Sequence, residues 1–272
     1  MRIALLGCGK MGSWLATLLS NEHEVAVFDS HPERIPKIKN VSSLKSLQDI
    51  KTFFPEMLLN AVSLQNTVPA FESALPFLPK ECLICDVASV KQGLEEYYAK
   101  SGFRFCSVHP MFGPTFANLG MLEGENAVII IESDKKGMDF FRKIFTKLEL
   151  NIYDYSFKEH DQMMAYSLTT PFVSSLVFTA CLDRTIVPGS TFGKHLKIAR
   201  GLLSEDDSLL AEILFNESSV PQINKINSKL EHLKHIIMAK DQDEIKLFLD
   251  KLRSNVGQTD SNEKGVSSKK KR

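Results

Sequence analysis

The sequence predicts an α/β fold: a doubly wound parallel sheet in the first half, followed by an all-α region. Three observations carry this expectation. Short apolar runs alternate with amphipathic stretches through roughly the first 155 residues, which is the rhythm of β-α-β units. A glycine-rich turn follows the first of those runs directly. Beyond it all, from residue 156 onward, the strand pattern does not return and each long segment reads as helix.

The runs Arg2–Leu6, Glu24–Phe28, Met57–Val62, Cys82–Asp86, Arg104–Val108 and Ala127–Ile131 hold mostly β-branched residues and leucine, with little alternation. Strands buried on both faces of a parallel sheet read in that way. Met11–Leu19, Thr67–Leu78, Val90–Ser101 and Lys135–Leu148 are predicted helices, and a short strand near Ile152 closes this half. Ser156-Phe157-Lys158-Glu159 is a capping box, in which serine and glutamate each satisfy a backbone N–H of the other. It predicts a long helix from Phe157 to about Leu182, apolar nearly all round. A helix of that kind is buried, often between subunits. Further helices are expected at Leu196–Leu203, Ser208–Asn216, Val220–Met238 and Asp241–Leu252. The segment from Ser254 to Arg272 lacks aromatics, is rich in Ser, Asn, Lys and Gly, and is predicted to be a disordered, solvated tail ending in KKKR.

Composition narrows the function classes. The 272 residues are 43% hydrophobic and 24% charged, with a formal net charge of zero. That balance is ordinary for a globular protein and offers no global field for nucleic acid or an anionic membrane. The five cysteines make no disulfide framework, which points to a reducing cytoplasm. Cys82 and Cys85 form a C-x-x-C, but Leu83 and Ile84 between them read as strand and no second pair completes a metal site. The N-terminal apolar run is broken by Gly7, Gly9 and Lys10, so no leader is expected. No unbroken apolar run reaches 18 residues, so no membrane span is expected either.

Gly7-Cys8-Gly9-Lys10-Met11-Gly12 is G-x-G-x-x-G, placed directly after the first strand and opening the first helix. Those glycines allow a tight turn and the close approach of a pyrophosphate to the helix N-terminus. Asp29, at the end of the second strand and 17 residues past Gly12, can accept hydrogen bonds from ribose hydroxyls. Its charge would repel a 2′-phosphate, so NAD is favoured over NADP, although Ser30 and Arg34 nearby keep NADP as the alternative. Ser63 and Gln65 follow the strand ending at Val62 and should lie near the adenosine half. The expected division is a dinucleotide-binding Rossmann-type domain over 1–155, a helical substrate and dimerisation domain over 156–253, and the tail over 254–272.

Val108–Leu119, V-H-P-M-F-G-P-T-F-A-N-L, places His109 among prolines and a glycine just after a strand. Such a loop holds one orientation, and α/β folds bind ligands beyond the carboxyl ends of their strands. Asp86-Val87-Ala88-Ser89-Val90-Lys91 ends the preceding strand. Ser89, Lys91 and His109 can therefore converge: imidazole to accept a proton, hydroxyl to orient a substrate hydroxyl, ammonium to bind a carboxylate.

D-V-A-S-V-K followed by H-P-M-F-G-P, both after an N-terminal G-x-G-x-x-G, resembles the prephenate/arogenate dehydrogenase family of tyrosine biosynthesis. E-H-D-Q-M-M-A-Y at Glu159–Tyr166 extends the resemblance, which covers roughly Arg2 to Phe215. It implies oxidative decarboxylation of prephenate to 4-hydroxyphenylpyruvate, or of arogenate to tyrosine, with hydride passed to NAD(P). It assigns His109 to the C4 hydroxyl proton, Ser89 to orienting that hydroxyl, and Lys91 to binding or polarising the substrate. The family's substrate arginine has its candidate here in Arg200, with Lys197 or Lys194 as substitutes, because the spacing to Asp206 is one residue longer. Thr169 stands where many relatives carry a histidine, so the substrate side chain is met differently. His160 is read as an ordering residue and His232 with His235 as a solvated pair. The long helix implies a homodimer, and any feedback by tyrosine would act at the active site. Two other readings remain open: a sister dehydrogenase acting on β-hydroxyacids or pyrroline carboxylate, and a catalytically silent dinucleotide sensor.

Overall fold

The computed structural model describes residues 1–37, 39–112, 122–183, 187, 189–204 and 207–268. Eight strands, β1 (Arg2–Leu6), β2 (Glu24–Phe28), β3 (Val41–Ser43), β4 (Met57–Asn60), β5 (Leu83–Asp86), β6 (Arg104–Pro110), β7 (Asn126–Ile130) and β8 (Asn151–Tyr155), form one sheet. Their order is β3-β2-β1-β4-β5-β6-β7-β8. Neighbours run parallel except β6 and β7. The helices between them are α1 (Lys10–Leu19), the single turn α2 (Ile50–Phe53), α3 (Thr67–Ala74), α4 (Leu94–Ser101) and α5 (Lys135–Lys147).

Strand side chains alternate between two covering layers, which is what doubly wound means physically. Ile3 and Leu5 of β1 join Trp14, Leu15 and Leu19 of α1 and Phe141 and Phe145 of α5. Ala4 and Leu6 join Phe71 and Ala74 of α3 and Leu94 and Tyr98 of α4. The Rossmann-type sheet expected from the sequence is thus present. β3 was not expected: it is a three-residue edge strand with two exposed serines, too short and polar to register as a pattern.

Two local departures matter for the site. His109 lies inside β6, opposite Val128 of β7, rather than in a loop after the strand. Antiparallel β7 pairs with residues 108–110 and so prolongs β6 past its parallel partner β5. The helix expected from Val90 starts only at Leu94, after Gly93 at φ 79°. Lys91 therefore sits in a turn, free to point inward.

The capping box is formed: Glu159 N donates to Ser156 Oγ and Ser156 N to Glu159 Oε2. It opens α6 (Phe157–Met164), a π-helical stretch over Ala165–Thr169, and α7 (Thr170–Ala180). Pro171 explains the π stretch, since it has no N–H for the carbonyl four residues back and its ring crowds that carbonyl. The helix was expected to be buried, yet α7 has no fully buried residue, because within one chain its apolar side chains are only partly covered. Over Phe157–Ala180 it is also long and apolar enough, at mean hydropathy 1.2, to cross a membrane by length and composition. Scattered polar residues hide that from a search for an unbroken apolar run.

α8 (Ser190–Leu202), α9 (Asp207–Leu214), α10 (Ser219–Ala239) and α11 (Gln242–Ser268) complete the chain. By packing, Met1–Ser219 is one compact unit and Val220–Arg272 another. The change from strands to helices at residue 155 is thus not a division in packing. In the second unit, His232 faces Glu244 at 3.7 Å and meets the ring of Phe248. α11 runs on to Ser268 through most of the segment expected to be unstructured, since a formed helix extends at little cost per residue. Lys269–Arg272 lie outside the described residues.

Candidate active site

β1 is the switch point of the sheet: β2 lies on one side of it and β4 on the other. Open α/β sheets bind ligands in the crevice at that point, beyond the carboxyl ends. A cavity of about 620 Å³ lies there, lined among others by Gly7, Gly9, Asp29, Arg34, Val62 and Ser63. Ser30 and His31 also line it, and Ser30 Oγ is 3.1 Å from His31 Nδ1.

The glycine turn is fixed by close approach. Gly7 has φ 86°, and a Cβ there would meet Val62 at 2.9 Å. A Cβ on Gly12 would lie 2.1 Å from the Gly7 carbonyl oxygen, so the first turn of α1 can pack on β1 only if residue 12 is glycine. At Gly9 a Cβ would meet nothing within 4 Å. Gly9 caps α1 without a side-chain hydrogen bond, and no acid stands in the first turn. Uncapped N–H groups and open space together suit the diphosphate of a dinucleotide. Asp29 closes the frame: Cys8 N donates to its Oδ2 and His31 N to its Oδ1, the latter at 2.7 Å. Each oxygen keeps a lone pair for a ribose hydroxyl. Asn66 donates to Ser63 Oγ at 2.7 Å, so Ser63 is positioned beside the cavity. Lys10 and Met11 begin α1 on the same turn.

Along the same carboxyl edge, beyond β5 and β6, lies a buried polar cluster. His109 Nδ1 is 3.0 Å from His160 Nε2, and His160 Nδ1 is 3.0 Å from Asp161 Oδ1. The Lys91 backbone N donates to the same Asp161 oxygen at 2.9 Å. Lys91 Nζ pairs with Asp86 Oδ1 and donates to the Val108 carbonyl at 2.8 Å. Tyr98 donates to Asp86 Oδ2 at 2.7 Å. Burial, then His160, then Lys91 hold the His109 pKa well below its usual value. Burial likewise lowers His160 against the pull of Asp161, and lowers Lys91 against the pull of Asp86. Both imidazoles are therefore neutral near pH 7.

The cluster joins His109, Lys91 and His160, with half-buried Ser89 on the loop between Asp86 and Lys91. It differs from expectation in three places. Lys91 does not offer its ammonium to a substrate: the turn before α4 points it at Asp86, with its side chain completely buried. Thr169 is fully buried, and its hydroxyl meets Ser219 Oγ at 2.8 Å instead of facing a ligand. Arg200 is exposed in the last turn of α8, as are Lys194 and Lys197 on that helix, and no hydrogen bond joins Arg200 to the cluster among the described residues. Gly113–Leu119, the rest of the histidine motif, and Asp206 lie outside the described residues. Asp161 and Tyr98 were missed. For Asp161 the adjacent His160 was a usable signal; Tyr98 on an amphipathic helix gave none.

The family model described as prephenate dehydrogenase, nucleotide-binding domain, matches residues 23–150. A probable arogenate/prephenate dehydrogenase of Methanocaldococcus jannaschii is 26% identical over 153 residues, covering 53% of this chain and 33% of that relative. The chain thus spans about a third of that relative's length. Prephenate dehydrogenase from A. aeolicus, solved with hydroxyphenyl propionate and NAD+, superposes with TM-score 0.81 at 18% identity, over 95% of this chain and 98% of its own. Arogenate dehydrogenase of Synechocystis superposes with TM-score 0.77 at 18% identity, over 95% and 100%. At that identity the two structures establish a shared fold. Residues 23–150 are thus similar to the nucleotide-binding domain of prephenate dehydrogenase, and the chain shares its fold with the two solved dehydrogenases.

Proposed function

We propose that this protein catalyses the NAD-dependent oxidative decarboxylation of prephenate or arogenate, and that His109 takes the proton of the substrate's C4 hydroxyl. The observation that carries the reading is a neutral, buried imidazole on the same carboxyl edge of the sheet as the cavity at the glycine turn. A neutral imidazole can act as the base; an imidazolium cannot. Ser89, on the neighbouring loop, orients the same hydroxyl. Lys91 and Asp86 hold the loops of β5 and β6 together, and Arg200 is the candidate cation for a substrate carboxylate. When bound, the nicotinamide supplies the hydride acceptor. The C4 hydroxyl loses its proton to His109, C4 loses its hydride, and the ring carboxylate leaves as carbon dioxide. The electron pair of its broken bond completes the aromatic ring.

Asp29 on the cavity wall supports NAD, and the arms of the experiment include NADP because Ser30 and Arg34 stand beside it. Purified protein is mixed with prephenate or L-arogenate and either cofactor, and reduced-cofactor absorbance is followed. Turnover with NAD is expected, and His109→Asn should lower kcat about 10²–10⁴-fold, the worth of a positioned base. Silence in all four combinations, with cofactor binding shown by calorimetry, would overturn the reading. The partly covered α7 supports a homodimer. Light scattering at micromolar concentration should give twice the chain mass, whereas sedimentation with lipid vesicles would assign that helix to a membrane.

A further inference from the structure

We propose that Asp161, acting through His160, fixes which ring nitrogen of His109 carries the proton, and so leaves His109 Nε2 bare to receive one. The inference rests on reading His109 as the proton acceptor and deepens it by naming two positioning residues.

The argument needs only donor and acceptor chemistry. A carboxylate accepts hydrogen bonds and cannot donate one. Asp161 Oδ1 already accepts the Lys91 backbone N–H at 2.9 Å and lies 3.0 Å from His160 Nδ1. That nitrogen must then carry the hydrogen. His160 is buried and its pKa is lowered, so the ring is neutral and its Nε2 holds a lone pair. This lone pair faces His109 Nδ1 at 3.0 Å, so His109 Nδ1 must be the donor of that bond. His109 is neutral as well, and its Nε2 is left as the basic nitrogen.

The direction of the whole chain is set at its carboxylate end. A neutral imidazole has two tautomers of similar energy, and a ring protonated at Nε2 could not accept the substrate proton there. Serine-protease triads use a carboxylate against the nucleophile's histidine for the same purpose. Here the carboxylate is one imidazole further away. The groups facing this chain are accounted for: Lys91 and Asp86 from the β5 side, the Val108 carbonyl beside His109, and Asp161 from α6. None of them gives His160 Nε2 or His109 Nδ1 another partner among the described residues.

The test is long-range ¹H–¹⁵N correlation NMR on histidine-¹⁵N-labelled full-length protein at neutral pH, without substrate. Signals are assigned with His109→Asn and His160→Asn. In the wild type, both rings should be read as follows: His109 and His160 each with a pyrrole-type Nδ1 and a pyridine-type Nε2. In Asp161→Ala, both nitrogens of His109 should shift toward averaged values. His160→Phe, which keeps a ring in the buried position but removes the acceptor, should average them too, and covers the case in which Asp161→Ala does not fold. In steady-state assays, Asp161→Ala should lower kcat by about 10²-fold or more with KM little changed, by analogy with the loss of a tautomer-fixing carboxylate. A wild-type His109 protonated at Nε2, or a His109 pattern unchanged in both variants, would overturn the proposal. Because the spectra need no substrate, a protein silent toward prephenate and arogenate could still show this tautomer pattern, so the two failures are separable.

Discussion

The two halves of the carboxyl edge are built on opposite principles. Beside β1, the cofactor cradle works by omission: glycines without side chains, a helix end without a cap, an open space at Gly9. Beyond β5 and β6, the cluster works by addition, joining two histidines, a lysine, an aspartate and a tyrosine that are buried to a partly buried second aspartate. The cradle's glycine motif occupies six residues of chain, from Gly7 to Gly12, with Val62 and Asp29 closing on it. The cluster joins residues 51 and 70 positions apart. One region admits no added atom at Gly7 or Gly12; the other tolerates no missing charge.

That contrast can be broken first at Lys91. Lys91→Met leaves Asp86 charged, buried and unpaired, which should cost about 3–5 kcal/mol of stability. Urea unfolding measures it, and a loss within experimental error would mean the ammonium is a surface ligand after all. Next is Gly12→Ala, whose Cβ would fall 2.1 Å from a backbone oxygen. Overpacking of that kind costs about 1–3 kcal/mol, and calorimetry should show cofactor binding weakened with it.

A smaller effect comes from acid. His109 and His160 have folded pKa values below their ordinary one, so between the two the unfolded chain binds more protons than the native. Stability therefore rises with pH in that window and declines as pH falls below about 6.5, the usual imidazole value. Unfolding midpoints measured from neutral to mildly acidic pH should fall, and His160→Phe should flatten the slope. A midpoint flat across that range would contradict two buried neutral rings. The smallest effect belongs to Gly9→Ala, which meets open space and should change stability by no more than about 0.5 kcal/mol. Cofactor affinity, not unfolding, should report it.

The same contrast explains what could be read from the sequence. The six-residue glycine motif, the apolar runs of β1, β4 and β5 and the Ser156 capping box are local, and periodicity or spacing exposes them. His109 was legible from its neighbours, but not its place inside β6, because that depends on β7 arriving antiparallel from 17 or more residues away. Lys91 was read as a helix-borne ligand since nothing local shows that α4 begins only after Gly93. Thr169 was read as lining a site, yet only packing against Ser219 reveals which way it faces. Asp161 needed the turn at Lys91, 70 residues earlier in the chain.

Pro171 and the π-helical stretch before it have a consequence for how this protein can change over generations. An unbroken α-helix locks every residue's bearing to every other at 100° per step, so a change tolerated on one face of α7 would have to suit the facing of His160 as well. The wider turn over Ala165–Thr169 resets that bearing midway. The His160 end and the α7 end then answer to separate selective pressures within one rod. Variation along α7 can accumulate while the imidazole pair stays aligned.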